Sequence, residues 1–164
     1  MIRAYCGLLV CVAMAGIVEL TQAQDWEYAQ PDFEWQFPRD HWAHSGYKTE
    51  WWYFTGQLTD AADSTKRFGY QFTFFRVGIT PDTLPINSAW AVTDLVMGHA
   101  ALTDLTTGEH RFSELVYRAN GFLGEFPSAA DTLVVWSRAP SGTDGVWTLG
   151  WDGDGFLLDR KSVV

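Results

Sequence analysis

The amino-acid sequence predicts an all-β fold, an antiparallel sandwich or barrel, and three observations carry that prediction. Runs of β-branched and aromatic residues recur with turn-formers between them, one of these runs has a clean period of two, and no long amphipathic helix can be drawn after residue 23. With 164 residues, 47% hydrophobic and 19% charged, the chain can bury one sizeable core, and one domain is the expected count. The same balance excludes a disordered chain. A formal net charge of −9 argues against nucleic acid or an anionic membrane surface as the main partner, because both require clustered Lys and Arg.

Residues 1–23 read as an export signal peptide, which predicts a periplasmic or extracellular protein. Arg3 precedes an apolar run from Gly7 to Val18, and Thr21-Gln22-Ala23 places small residues at −3 and −1 of a cut before Gln24. The run is short of the ~20 residues that cross a bilayer, so no membrane span is expected once the signal is removed. Cys6 and Cys11 both lie inside this segment, which leaves the mature chain without a disulfide or a cysteine nucleophile. At the other end, Asp159–Val164 reads as an appended, non-native tail, with natural sequence ending near Leu158 and continuing elsewhere.

Between these ends, residues 24–36 form a lead-in, and the irregular run extends to residue 48. Pro31, Pro38, Asp40 and Gly46 break any period, and Trp35 and Phe37 are expected to pack on the body of the domain at 37–158. Glu50–Leu58 and Arg67–Arg76 are rich in strand formers and flank the polar, turn-like stretch Asp60–Lys66, so they predict an antiparallel hairpin. In the second run Phe68, Tyr70, Phe72 and Phe74 share one face, while Gly69, Gln71 and Thr73 share the other. Trp90–Thr103 predicts a third strand, in which Gly98 suggests a bulge or a close approach. Phe112, Leu115 and Val116 have helical spacing, which favours a short helix or irregular crossover at 112–118. Thr132–Ser137, Val146–Trp151 and Phe156–Leu158 complete the strands.

The candidate chemistry follows from the rings and from a few polar residues. The chain carries 9 Trp, 6 Tyr and 11 Phe. Trp51 or Trp52, Tyr70, Phe72, Phe74 and Trp90 on an inner face would either enclose a long apolar ligand or fill an ordinary core. His41 and His44, with Asp40, Glu50 and the distant His99, could supply a two-His, one-carboxylate metal set. The H-x-x-H spacing lacks a helical face, however, and no metal and no cofactor are expected. Glu50 and Arg76 meet if the hairpin pairs around the 60–66 turn, either as an ion pair at a sheet end or as an acid held in an apolar pocket. No Gly-rich phosphate loop and no G-x-S-x-G elbow occur, and Ser45 is not a recognisable nucleophile.

Four blocks occur in order: Phe37-Pro38-Arg39-Asp40-His41 with His44, Lys48–Gly56 (KTEWWYFTG), Phe68–Arg76 (FGYQFTFFR) and Met97–Asp104 (MGHAALTD). Together they resemble the AttH/CrtC family, lipocalin-like proteins that include carotenoid 1,2-hydratases and predicted secreted hydrolases; the resemblance runs from about Phe37 to Leu158. It implies an antiparallel lipocalin-like β-barrel, the first of a tandem pair, with the chain truncated before the second. The family's motif positions are His44, Glu50, Trp51, Trp52, Tyr53, Tyr70, Gln71, Arg76 and His99. Of these, Glu50, His44 and His99 are the candidates for catalysis. The others, with Phe72, Phe74 and Trp90, are candidates for contacting an apolar small-molecule ligand.

The chemistry that the resemblance implies is hydration of an isoprenoid double bond. A neutral carboxylic acid protonates the alkene, ring faces stabilise the tertiary carbocation, and water traps it without any cofactor. The family's proton donor is expected beyond Leu158, so this chain alone is expected to be inactive. A non-enzymatic carrier of hydrophobic ligands and a secreted hydrolase are the alternatives.

Overall fold

The structure, a computed structural model, describes residues 25–160. The signal segment and the last four residues of the tail lie outside the described residues. Eight strands run in chain order: β1 (Thr49–Thr59), β2 (Arg67–Gly78), β3 (Asp94–Asp104), β4 (His110–Arg118), β5 (Gly124–Glu125), β6 (Leu133–Arg138), β7 (Val146–Trp151) and β8 (Phe156–Arg160). They form two four-stranded antiparallel sheets, β1-β2-β3-β4 and β5-β6-β7-β8, each an up-and-down meander. The all-β expectation holds. Neither β4 with β5 nor β8 with β1 forms a ladder, so the two sheets stack face to face without closing into a barrel.

The predicted β1–β2 hairpin is present, and its register sets Glu50 opposite Arg76, Trp52 opposite Phe74 and Phe54 opposite Phe72. The alternation along these strands decides what is inside. Trp52, Phe54, Phe72 and Phe74 face the second sheet, and Trp147 and Leu149 of β7 meet them from the other side. Phe72 lies 5.8 Å from the Trp147 ring and 5.3 Å from Phe74. The space between the sheets is therefore a filled core, not a ligand chamber, with Trp147, Phe74 and Val96 wholly inaccessible. Gly98 makes the close approach without a bulge: a Cβ there would sit 3.2 Å from both Leu115 and Trp147. The irregularity lies in β6 instead, where a register shift between Leu133 and Val135 lets the consecutive residues Val134 and Val135 both be buried.

Three expectations need correction, and one open alternative is resolved. Residues 112–118 are strand, not helix: Leu115 and Tyr117 turn inward, while Phe112 and Val116 turn out from the sheet. Of the Trp51/Trp52 pair, Trp52 faces inward and Trp51 outward. Trp90 lies in a turn before β3 and is exposed, so it belongs to no inner face. In the lead-in, Trp35 and Phe37 stack on each other at the surface rather than on the body; Trp42 is the buried one. Asp159 and Arg160 continue β8, with Arg160 lying over the Trp147 ring.

Candidate functional site

The lead-in is held to the first sheet by polar contacts, and this attachment builds the site. A short 3-10 turn, Arg39–His41, brings Trp42 inward, and the Trp42 indole N–H donates to the Leu133 carbonyl of the second sheet at 2.9 Å. The Trp52 indole donates to the His41 carbonyl at 2.8 Å. The His41 ring packs 4.2 Å from Trp151 and 4.9 Å from Phe156, so this turn plugs the seam between β1 and β8 with side chains where no ladder exists. Further back, the Glu27 N–H donates to the Gly46 carbonyl, and Trp26 lies over Gly78 at the end of β2.

His44 and Glu50 stand together in the cleft this creates. The Glu50 carboxylate accepts the His44 backbone N–H (2.8 Å to Oε2) and faces His44 Nδ1 at 2.7 Å. The other ring nitrogen, Nε2, lies 3.3 Å from Asp40 Oδ1. Asp40 in turn accepts from Arg39 at 2.7 Å and from the Gln36 N–H at 2.6 Å. That backbone hydrogen bond, with smaller contributions from Arg39 and His44, outweighs burial and holds the Asp40 carboxyl below its ordinary value.

Arg76, 2% exposed, anchors the other flank. It lies 3.4 Å from Glu50 and 2.7 Å from Asp94, and it donates to the carbonyls of Tyr47 (2.6 Å) and Ser45 (3.0 Å). A guanidinium can fill so many acceptors because its donors form a fixed planar fork. Its chief effect is to hold the His44–Tyr47 loop against β2. The Glu50–Arg76 pair foreseen from the hairpin is thus one edge of a larger network. Both oxygens of the Glu50 carboxylate accept the His44 backbone N–H, and Oε2 lies 3.4 Å from Arg76.

Two adjoining clefts open on this pair. One, of about 380 Å³, is lined by Phe33, Trp35, Tyr47 and Trp51 with His44 and Glu50. The other, of about 280 Å³, adds Asp40, Trp42 and Trp52. Of the ligand-contact candidates, Trp51 and Trp52 line these clefts. Tyr53 lies on the exposed side of β1, where its hydroxyl accepts from Gln71 at 2.8 Å. Phe72 and Phe74 are core, Tyr70 is half-buried beside Gly56, and Trp90 packs on Phe122 elsewhere. His99 is on the outward face of β3 between Phe75 and Phe112, which separates it from His44. The His41, His44 and His99 set is therefore not assembled, and among the described residues no three or more His, Cys, Asp or Glu side chains are arranged so that they could hold a metal ion.

The sequence reading missed Phe33 and Tyr47 as walls, Trp42 as the link between sheets, and Asp94 as the main partner of Arg76. Only Asp94 carried a signal, as an acid at the start of a strand whose neighbour bears the arginine.

These features define a class: an all-β protein of two stacked meanders whose aromatic cleft opens at the lead-in end, over a carboxylate-braced histidine. The chain belongs to the AttH-like family, whose model matches residues 28–154. Among solved structures it is similar to a candidate AttH protein from Nitrosomonas europaea, at 28% identity and a TM-score of 0.49 over 79% of this chain. The match spans 38% of that protein's length. No curated protein matches.

Proposed function

We propose that this chain is the N-terminal, lipocalin-like unit of an exported AttH/CrtC-type protein, and that it holds an apolar, isoprenoid- or lipid-like ligand in the aromatic cleft over Glu50. The observation that carries the reading is the cleft itself: rings on its walls, a single carboxylate–imidazole pair at its floor, and a volume of about 380 Å³. The filled space between the sheets supports a ligand seated at the end of the sandwich. Next-neighbour strand order throughout is that of an up-and-down barrel, which supports a lipocalin-type ancestry opened at two seams.

In a longer protein the same cleft would serve hydration of a carbon–carbon double bond. The acid would come from outside this chain, and the ring faces would stabilise the cation. A carrier role is the second reading, favoured by the crowding of the Glu50 carboxylate, whose oxygens already accept the His44 backbone N–H and lie beside Arg76.

The test is titration of the full chain with the neutral fluorophore phenylnaphthylamine. Saturable binding that Trp35→Ala and Trp51→Ala each weaken about tenfold supports the cleft, since each removes a large ring from it. Binding unchanged in both variants sinks it. Incubation of the longer protein with acyclic carotenoids separates hydratase from carrier by the appearance of a hydrated product.

A further inference from the structure

We infer that the cleft recognises an organic cation, specifically a quaternary ammonium group, as the head of its ligand. The inference rests on the reading that this cleft binds an apolar ligand, and names the chemistry of the end that reaches Glu50.

Three observations converge on it. First, the rings around the cleft turn at nearly right angles from one to the next. Phe33 meets Trp35 at 75° and 5.0 Å, Phe33 meets His44 at 87° and 6.0 Å, and His44 meets Tyr47 at 73° and 6.2 Å. Trp51 closes a further wall. Successive perpendicular rings box a space in the way an aromatic cage does, and ring faces attract a cation through their quadrupoles.

Second, the charge is of the right sign. Glu50 lines the cleft and neither Lys nor Arg does. Behind the wall, Arg76 faces Glu50, but it is shared with Asp94, while Arg39 faces Asp40. Three carboxylates thus stand against two guanidiniums, with His44 between Asp40 and Glu50.

Third, the acceptors are spoken for. Both Glu50 oxygens already meet donors from His44, and Oε2 also meets Arg76. A primary ammonium asks for free acceptors to replace its water shell, and it finds few here. A quaternary ammonium has no N–H to satisfy, and needs only field and ring faces.

The experiment is calorimetric titration of the full chain with two matched pairs. Choline is set against its uncharged tert-butyl isostere, and dodecyltrimethylammonium, below its micellar concentration, against dodecyldimethylphosphine oxide. Each is repeated on the double variant Trp35→Leu/Trp51→Leu, which keeps the apolar surface and every charge but removes two ring faces. Both tryptophans are 63% exposed, so the variant leaves the core intact. The expected result is a preference of about tenfold for the cationic member of each pair, falling to near parity in the variant. A preference seen with the chain-bearing pair alone assigns the head group to an amphiphile; one equally strong with choline assigns a free small cation. Parity in the unmodified chain overturns the cation site while leaving apolar binding in place. So does a preference that survives in the variant, which marks general attraction to an acidic protein. If neither amphiphile binds, the apolar-ligand reading falls, and this inference with it.

Discussion

Trp51 and Trp52 are neighbours on β1, yet they occupy opposite environments. Trp52 points between the sheets, packs 5.9 Å from Phe126, and gives its indole N–H to the His41 carbonyl. Trp51 points the other way, largely exposed, and forms a wall of the cleft. The pleat of one strand divides the labour: one row of rings holds the two sheets together, and the other row, with the lead-in, makes a surface that can be occupied. Aromatic content alone does not distinguish these tasks. Register does, because moving β1 by one residue would exchange the two rows.

The largest losses are expected on the inward row. Trp147→Ala, in the wholly buried centre, is expected to cost about 4 kcal/mol of stability by leaving a cavity, read from the urea midpoint. Arg76→Met is expected to cost about 3 kcal/mol, because it removes the guanidinium that pairs with Asp94 and Glu50 and frees the His44–Tyr47 loop. Gly98→Ala should lose about 1–2 kcal/mol, since Leu115 and Trp147 are both packed too closely to yield to a new methyl group. On the outward row, Trp51→Ala should move stability by no more than about 0.5 kcal/mol while weakening ligand binding. An equal loss of stability for Trp51→Ala and Trp52→Ala would erase the distinction.

The smallest expected effect is one of pH. Asp40 titrates below its ordinary value of 3.8 in the folded chain, so it binds fewer protons there than in the unfolded chain. Its contribution is complete above the unfolded value and is lost as pH falls through the folded one. Asp40→Asn should therefore flatten the acid limb of the stability curve below about pH 4 and leave its neutral portion parallel to that of the unmodified chain. An unchanged acid limb would place the effect in the turn aspartates: Asp60, Asp104 and Asp152, lowered chiefly by their own turn N–H groups, and Asp63, lowered first by the Thr65 hydroxyl and then by the Thr65 N–H.

What could be read in advance follows the same division. The β1–β2 hairpin and its Glu50–Arg76 pairing were legible because a polar turn separates two runs of strand formers, one of them strictly alternating. β4 was not, because it carries apolar residues on both faces. Phe112 and Val116 outside, together with Leu115 inside, reproduce helical spacing by coincidence. Glu50 and His44 were recognised as chemistry-bearing, but their direct contact depends on an irregular loop that Arg76 holds through backbone carbonyls, and no periodicity encodes that. Closure of the sheets into a barrel was expected from the resemblance, since strand count and order fit it. Whether the last ladder forms depends on the spacing between edges, and here His41, Trp42 and Phe156 occupy that space.

The two unladdered seams have a consequence for how the molecule loosens. Outward amides on β1 and β8 lack a cross-strand acceptor, whereas those of β2, β3, β6 and β7 are flanked on both sides. In deuterated water the rim of each sheet will trade its protons early and its middle late. The fold will come apart like a book opening at its fore-edge.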